Sequence, residues 1–243
     1  MSGQFIVKFL FAAALGLIVV TVFSAEPPRL HPPLAEYVTE RLTEFDEIDA
    51  ERKKQLTALA EHISQRRRAK EAIKLTFICT HNSRRSHLAQ MWASVAAARF
   101  NIEGVETFSG GTAATALNPR TVRAFERAGF KVEREKSPAN AKNPHYQIEF
   151  ATGIKPSVCF SKVYNMAPNP TEGFCAVMTC SQADESCPQV AGSVARLAIP
   201  YEDPKVSDDT AEEIATYDER CAQIAREMLF VFQEAERMIK AEK

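Results

Sequence analysis

Short apolar segments alternate with longer helical patterns along the chain from residue 74 onwards. The apolar segments predict strands over residues 75–78, 105–108, 158–160, 174–178 and 195–199, and the helical patterns cover residues 85–99, 118–128 and 211–241. Uninterrupted apolar strands separated by helices indicate a parallel sheet that is covered on both faces. The sequence therefore predicts a three-layer α/β fold with a mostly parallel four-stranded sheet. Residues 138–170, which contain five prolines, are predicted as an inserted loop with one strand in it.

The residues before this alternating pattern divide into two parts. Residues 9–25 carry no charge and follow Lys8, which is typical of an export signal or a membrane anchor. A proline-rich linker follows, and residues 34–68 carry two helical patterns that predict a helical hairpin. We therefore expect a signal or anchor over residues 1–25, a linker and hairpin over 26–73, and the α/β domain over 74–243.

The charges around the apolar segment predict where the protein resides. Lys8 precedes residues 9–25 and Glu26 follows them. Because positive residues tend to stay on the cytoplasmic side, this order favours export of the following domain. We expect an exported protein, or one attached to a membrane through residues 9–25. A cytoplasmic location follows if that segment has another role.

The composition excludes several classes of protein. Thirty lysines and arginines against 31 aspartates and glutamates give a net charge of −1, so the chain lacks the basic field that attracts nucleic acid. Six cysteines are too sparse for a disulfide scaffold, and they include no C-x-x-C pair of a structural zinc site. Cys159, Cys175 and Cys221 are predicted as buried packing residues. We expect a monomer with no metal, no cofactor and no nucleic-acid partner.

One cysteine, Cys79, stands where a predicted strand ends and a helix begins, and Arg85 and Ser86 follow it. Such a loop can curl so that its backbone N–H groups point inward, and the helix dipole adds to this cradle for a tetrahedral oxyanion. Arg85 can bind two anion oxygens with its planar fork. The same dipoles favour a nucleophilic thiolate at Cys79, to which Ser86 can donate a hydrogen bond. The residues predicted to form the oxyanion-binding loop are Thr80, His81, Asn82, Ser83, Arg84 and Ser86.

Residues 75–92 resemble the anion-binding loop of the low-molecular-weight protein tyrosine phosphatase superfamily, which includes the thioredoxin-coupled arsenate reductases. Residues 109–129 are similar to the segment after the second strand in that family, and Asp203 with the proline after it resembles the general acid. The resemblance covers about residues 74–235. It implies the fold predicted above, with Cys79 as nucleophile, Arg85 as oxyanion ligand and Asp203 as the acid that protonates the leaving oxygen.

A second pair of cysteines separates the branches of this superfamily. Cys180 ends an apolar segment, and Cys187 comes seven residues later with a proline after it, which resembles the arsenate reductase pattern. The resemblance implies a thiol relay. Cys79 attacks arsenate, Cys180 attacks the adduct and releases arsenite, and Cys187 then closes a Cys180–Cys187 disulfide that a thioredoxin-like partner reduces.

Three alternatives remain open at this point. Cys180 and Cys187 can form a structural disulfide in an exported domain. The chain can be a phosphatase that hydrolyses phosphate esters through the same nucleophile, although Lys205 and Val206 follow the acid where that branch usually places aromatic side chains. It can also be a non-catalytic, membrane-tethered binding module whose loop senses phosphate or a phosphorylated partner.

Overall fold

Strands and helices alternate along the chain, which the computed structural model describes over residues 29–136, 142–187 and 189–241. The strands are β1 (Arg29–Leu30), β2 (Ile73–Cys79), β3 (Val105–Gly111), β4 (Lys131–Arg134), β5 (Tyr146–Glu149), β6 (Ala151–Thr152), β7 (Ser157–Cys159), β8 (Phe174–Met178) and β9 (Ser193–Ala198). The helices are α1 (Pro32–Leu42), α2 (Ala50–Arg68), α3 (Arg85–Arg99), α4 (Pro119–Arg127), α5 (Ser181–Ser186) and α6 (Glu213–Ala241).

Four parallel strands form the central sheet, in the order β3, β2, β8, β9. The two central strands are covered on both faces, and every residue of β8 is buried. Such strands are continuously apolar because neither face meets water. The predicted mostly parallel four-stranded sheet is confirmed. Strand β8 has the predicted ends, whereas β2 and β3 extend beyond theirs.

The two faces of the sheet bury two different clusters. Cys175 and Val177 of β8 belong to the main core, together with side chains of α1, α2, α3 and α6. Alternate residues of a strand point to opposite faces, so Phe174, Ala176 and Met178 of β8 belong to a second cluster. We call this second group the small cluster; its buried members are Ile78, Cys79, Phe174, Ala176, Met178, Cys180, Ala183 and Val190, with Tyr164 and Cys187 packed against them.

The carboxyl ends of the two central strands lie side by side. Ile78 of β2 pairs with Met178 of β8, so Cys79 and Cys180 both follow at the same edge of the sheet. One connection leads from β2 into α3, and the other leads from β8 into α5. Ligands of open α/β sheets bind at this edge, outside the carboxyl ends of the strands.

The predicted N-terminal hairpin is present as two helices, α1 and α2, and both pack against α6. Leu34, Leu56 and Leu59 from these helices are fully buried in the main core. Tyr37 of α1 stacks on Trp92 of α3, with ring centroids 5.4 Å apart. The helices thus share one core with the α/β part, and the boundary at residue 73 stays a prediction.

A second sheet occupies part of the region predicted as an inserted loop. Strands β4, β5 and β7 pair antiparallel, and β7 corresponds to the predicted strand at residues 158–160. The sequence prediction missed β4 and β5. Strand β4 exposes the charged side chains of Lys131, Glu133 and Arg134, so it lacks the apolar alternation by which strands are recognised.

The predicted export or membrane attachment requires correction. Within residues 29–136, 142–187 and 189–241, no helix is long and apolar enough to cross a membrane. Residues 9–25, on which that prediction rested, lie outside the described residues.

Candidate active site

The Cys79 loop, residues 79–85, connects β2 to α3 and buries its cysteine. Cys79 is 4% exposed, and its Sγ lies 3.1 Å from Oγ of Ser86 in the first turn of α3. Asn82 Nδ2 donates to the same Ser86 Oγ at 2.9 Å. Because that oxygen already accepts a hydrogen bond, the Ser86 hydroxyl hydrogen is free to point at the sulfur. The arrangement therefore offers a donor that stabilises a thiolate.

The backbone of the Cys79 loop turns its carbonyl groups outward. Four carbonyl oxygens accept hydrogen bonds from outside the loop: Cys79 O from Thr112 N at 3.2 Å, Thr80 O from Ala113 N at 2.9 Å, His81 O from Ser161 Oγ at 2.8 Å and Ser83 O from Asn118 N at 3.0 Å. In a planar trans peptide the N–H points opposite to the C=O. The amides that follow these carbonyls therefore point away from these outside donors, an orientation that suits an anion held inside the loop.

Asn82 and Gly111 fix the curvature of the loop. Asn82 has a left-handed φ of 45°, and its Oδ1 accepts the backbone N–H of Lys162 at 2.9 Å. Gly111 lies directly behind the loop, because a Cβ at this position would be 2.8 Å from Asn82 N and 2.8 Å from Thr80 O. No larger residue fits there without moving the loop backbone.

Arg85 rests on the segment that carries the predicted acid. Its Nη1 donates to Tyr201 O at 2.9 Å, and its Nη2 donates to Asp203 Oδ2 at 2.7 Å. Asp203 also accepts the backbone N–H of Lys205, at 3.1 Å. The structure thus brings the predicted anion ligand and the predicted acid into direct contact. They line a cavity of about 660 Å³ whose walls are His81, Arg84, Arg85, Ser181, Gln182, Tyr201, Glu202, Asp203, Lys205 and Val206.

The second arginine of the loop has fixed partners outside the anion cradle. Arg84 Nε donates to Tyr217 Oη at 2.6 Å, and its Nη2 donates to Asp208 Oδ2 at 3.0 Å. Its Nε also lies 3.9 Å from Asp203 Oδ1. The Arg84 side chain therefore ties the loop to α6 and to the segment after Asp203. His81, by contrast, is exposed at the rim of the cavity.

The three cysteines predicted as a relay pack in the small cluster, and all three are free thiols. Cys180 is 1% exposed, and its Sγ lies 3.5 Å from Oγ1 of Thr80 in the Cys79 loop. Its Sγ also accepts the Ala183 N–H at 3.4 Å and so caps α5. Cys187 is half-buried at the other end of α5. The structure thus brings Cys79, Cys180 and Cys187 to one side of the sheet.

Two buried basic side chains near the Cys79 loop, Lys162 and His87, were not predicted from the sequence. Lys162 is 5% exposed, and burial lowers the pKa of its ammonium group to about 8. His87 is fully buried with Nδ1 3.1 Å from Ser109 Oγ, and burial, followed by the positive charge of Lys162, lowers its pKa well below the usual value. Lys162 gave no sequence signal, because a lysine in a loop is normally exposed.

The other cysteines are separate from this site. Cys159, Cys175 and Cys221 are buried, as predicted, and burial raises the pKa of each thiol to about 12. These thiols stay protonated at neutral pH and are poor nucleophiles. Among residues 29–136, 142–187 and 189–241, no group of three His, Cys, Asp or Glu side chains is arranged to hold a metal ion.

Comparison with known proteins adds relatives by sequence, although no family model matches the chain. Arsenate reductase 2 of Staphylococcus epidermidis RP62A is 27% identical over 130 residues, which cover 53% of this chain and 76% of that protein. The arsenate reductase of Bacillus subtilis 168 is 26% identical over 137 residues, which cover 56% of this chain and 78% of that protein.

Solved structures with a similar fold include a low-molecular-weight phosphotyrosine phosphatase from Vibrio cholerae O395, with a TM-score of 0.43 and 10% identity over 67% of this chain and 95% of that chain. A YwlE mutant from Bacillus subtilis has a TM-score of 0.42 and 15% identity over 71% of this chain and all of that chain. By sequence, the predicted resemblance of this chain to the arsenate reductases is confirmed.

Proposed function

We propose that this protein is an arsenate reductase that converts arsenate to arsenite with Cys79, Cys180 and Cys187. The observation that carries the proposal is that these three free thiols pack in the small cluster, with the Cys180 Sγ 3.5 Å from Thr80 Oγ1 of the Cys79 loop. A hydrolytic phosphatase needs only the first of these sulfurs. The relatives named arsenate reductase support the same reading.

The first step binds arsenate in the Cys79 loop. The inward amides and the N-terminal end of α3 favour a tetrahedral anion, and Arg85 turns its fork from Asp203 to the anion. The Cys79 thiolate then attacks arsenic, and an S–As bond replaces one As–O bond. Asp203, released from Arg85, supplies the proton with which the leaving oxygen departs as water.

The second and third steps transfer the electrons. The Cys180 thiolate attacks the Cys79 sulfur, the S–As bond breaks, and its electron pair leaves with arsenic as arsenite. Cys187 then attacks the Cys180 sulfur of the Cys79–Cys180 disulfide and releases the Cys79 thiolate. Arsenic gains two electrons, and two thiols become one disulfide. A thioredoxin-like dithiol then reduces the Cys180–Cys187 disulfide. Cys187 is the most accessible of the three cysteines, so an external dithiol can reach this disulfide through it.

The test is steady-state turnover of the full chain supplied with arsenate, thioredoxin, thioredoxin reductase and its nicotinamide cofactor. The Cys180→Ala variant should lose arsenate-dependent cofactor oxidation. Cys175→Ala is the matched control, because Cys175 is a buried cysteine of the adjacent strand β8 that faces the main core. It should retain wild-type turnover. Equal turnover in wild type and Cys180→Ala would contradict the relay.

A phosphatase is the second candidate, because Cys79, Arg85 and Asp203 form a complete acid–nucleophile set without the other two cysteines. The cavity of about 660 Å³ above the loop also exceeds the size of an inorganic oxyanion. An aryl-phosphate hydrolysis assay run beside the first one separates the two candidates. Hydrolysis that survives Cys180→Ala, with no arsenate turnover in any variant, would favour the phosphatase.

A further inference from the structure

The position of Arg85 depends on a segment between β9 and α6. Arg85 donates to the carbonyl oxygen of Tyr201 and to the side chain of Asp203, and both residues belong to this segment. Whatever holds Tyr201 in place therefore also orients the arginine fork. Tyr201 N donates to Thr179 O at 3.1 Å, which attaches the backbone of the segment to the end of β8.

The ring of Tyr201 is held by a residue of α2. Tyr201 is buried, and the guanidinium carbon of Arg52 lies over its ring at 4.7 Å from the centroid. Burial, with the negative charge of Glu227 as the second cause, raises the pKa of the Tyr201 phenol well above its usual value. The phenol is therefore neutral, and the contact with Arg52 is a cation–π interaction in a desolvated place.

Arg52 is held both by its guanidinium group and by its backbone. Its Nε and Nη2 donate to Glu227 Oε2 of α6 at 3.0 and 2.7 Å, and Glu227 is only 2% exposed. Its backbone N–H donates to Asp49 Oδ1 at 2.8 Å, which caps the start of α2. Gln223 Nε2 donates to the second carboxylate oxygen of Glu227 at 3.0 Å.

We propose that Arg52 is a positioning residue for the oxyanion site, and that α2 thereby sets how tightly the Cys79 loop binds its anion. Arg52 holds the Tyr201 ring, the Tyr201 carbonyl holds Arg85, and Arg85 is the last residue of the Cys79 loop. The inference rests on the proposed function only in that the loop binds an oxyanion. The proposal gives Arg52, which belongs to residues 26–73, a role in the oxyanion site. Residues 26–73 lie outside the part of the chain that resembles the superfamily.

A purely stabilising role explains this arrangement less well. A buried ion pair costs its full desolvation, and replacing both partners by apolar residues often leaves the free energy of unfolding unchanged or higher. The Arg52–Glu227 pair is therefore a weak source of stability. What the guanidinium provides that an apolar side chain does not is a flat, charged surface against the Tyr201 ring.

The test measures oxyanion binding to the full chain without turnover. Arsenate and inorganic phosphate are titrated as protectants of Cys79 against alkylation by iodoacetamide, and the modified Cys79 peptide is quantified by mass spectrometry. In the Arg52→Met/Glu227→Leu double variant, which leaves no unpaired buried charge, we expect the Kd of both anions to rise about tenfold. Arg52→Lys should recover part of that loss. The alkylation rate without anion should stay as in the wild type.

Arg226→Met is the matched control. Arg226 also joins α6 to the N-terminal region, because it pairs with Glu44 at 3.3 Å and with Glu47 in the connection between α1 and α2. The Kd values of arsenate and phosphate for Arg226→Met should stay within about twofold of the wild-type values, a difference of less than about 0.5 kcal/mol. Thermal unfolding of each variant shows whether it is folded, and Arg52→Lys decides the outcome if the double variant does not fold.

The inference is overturned if a folded double variant, or a folded Arg52→Lys, binds both anions as the wild type does. Failure of the proposed function looks different. Phosphate protection that weakens in the double variant, with no arsenate reduction in any variant, would overturn arsenate reduction alone. If neither arsenate nor phosphate protects Cys79 in the wild type, both the inference on Arg52 and the proposed function are overturned.

Discussion

Asn82 combines three roles in the Cys79 loop: a left-handed φ, a hydrogen bond to Ser86 and a hydrogen bond from Lys162 N. In Asn82→Ala the Ser86 hydroxyl loses the bond that directs it to Cys79. We expect kcat/KM to fall at least about tenfold, and Cys79 to alkylate more slowly.

The control for that prediction is Asn101→Ala, because Asn101 has a similar φ of 51° beyond the end of α3. Both variants place alanine in a strained backbone conformation, which costs each about 1 kcal/mol of unfolding free energy, and Asn82→Ala also loses two buried hydrogen bonds. Only Asn82→Ala should slow alkylation of Cys79. Equal alkylation rates in the two variants would show that Asn82 acts through stability alone.

Lys162 gives the protein a pH-dependent stability. Its pKa is near 10.5 in the unfolded chain and about 8 in the folded one, so between these values the unfolded chain binds the extra proton. Below pH 8 both states are charged, and burial of the ammonium group costs the folded state about 3 kcal/mol. The cost disappears as the pH rises to 10.5.

Lys162→Met should therefore raise the free energy of unfolding relative to wild type most strongly below pH 8. The difference between the two proteins should shrink as the pH rises from 8 to 10.5. Urea unfolding at pH 7 and pH 10 measures it, with Lys155→Met at an exposed lysine of the neighbouring loop as the control. A difference that does not change with pH would contradict a lowered Lys162 pKa in the folded protein.

Among the secondary-structure elements, α5 must change its shape if the relay operates. Cys180 and Cys187 flank this six-residue helix, so their Cα atoms are separated by about 10 Å along a helix of 1.5 Å rise per residue. A disulfide requires Cα atoms within about 7 Å. The reduced helix is closed by hydrogen bonds from Asp184 N to Cys180 O and from Cys187 N to Ala183 O. These amides must lose their partners when the disulfide forms.

Hydrogen exchange measures this change directly. In Cys79→Ala oxidised with glutathione disulfide, the amides of residues 183–187 should exchange about as fast as those of an exposed loop, whereas the reduced variant should protect them. Unaltered protection after the disulfide has formed would show that α5 need not unfold.

Arg196 of β9 fastens the far end of α5. It donates to the carbonyl oxygens of Asp184 and Cys187 at 2.7 and 3.1 Å, and to Asp184 Oδ1 at 2.5 Å. Charge-assisted bonds of this kind stabilise the folded helix. Arg196→Met should raise the fraction of Cys180–Cys187 disulfide in a glutathione redox buffer, with about a tenfold shift in the equilibrium constant. An unchanged equilibrium constant for the disulfide would show that Arg196 does not influence the stability of α5.

For the whole molecule, the shared core predicts a single unfolding event. Leu59 of α2 is fully buried in the same cluster as Trp92, the only tryptophan of the sequence. Trp92 stacks on Tyr37 of α1, so its fluorescence reports whether the N-terminal helices are docked. Leu59→Ala should cost about 2–5 kcal/mol and should shift the fluorescence and circular dichroism transitions together. Two separate transitions would show that residues 26–73 fold independently.

Several features of the protein could be predicted because their signals are local. The apolar runs of β2 and β8, and the spacing of Cys79, Arg85 and Ser86 at the junction of strand and helix, depend only on neighbouring residues. The parallel sheet then follows, since its central strands must be covered on both faces. Strand β4 was not predicted. Its exposed charged residues show no apolar alternation, and the strand is defined by its pairing with β5.

The sequence by itself thus determined the order of elements and the residue types at the edge of the sheet. Only the tertiary structure decided which of these residues meet. It packs Cys180 against the Cys79 loop, directs Arg84 to Tyr217, buries Lys162 beneath Asn82 and sets Arg52 of α2 against Tyr201. Each of these contacts joins residues dozens of positions apart, or more. Burial and charge at such contacts depend on the packing of the whole chain, which no local pattern records.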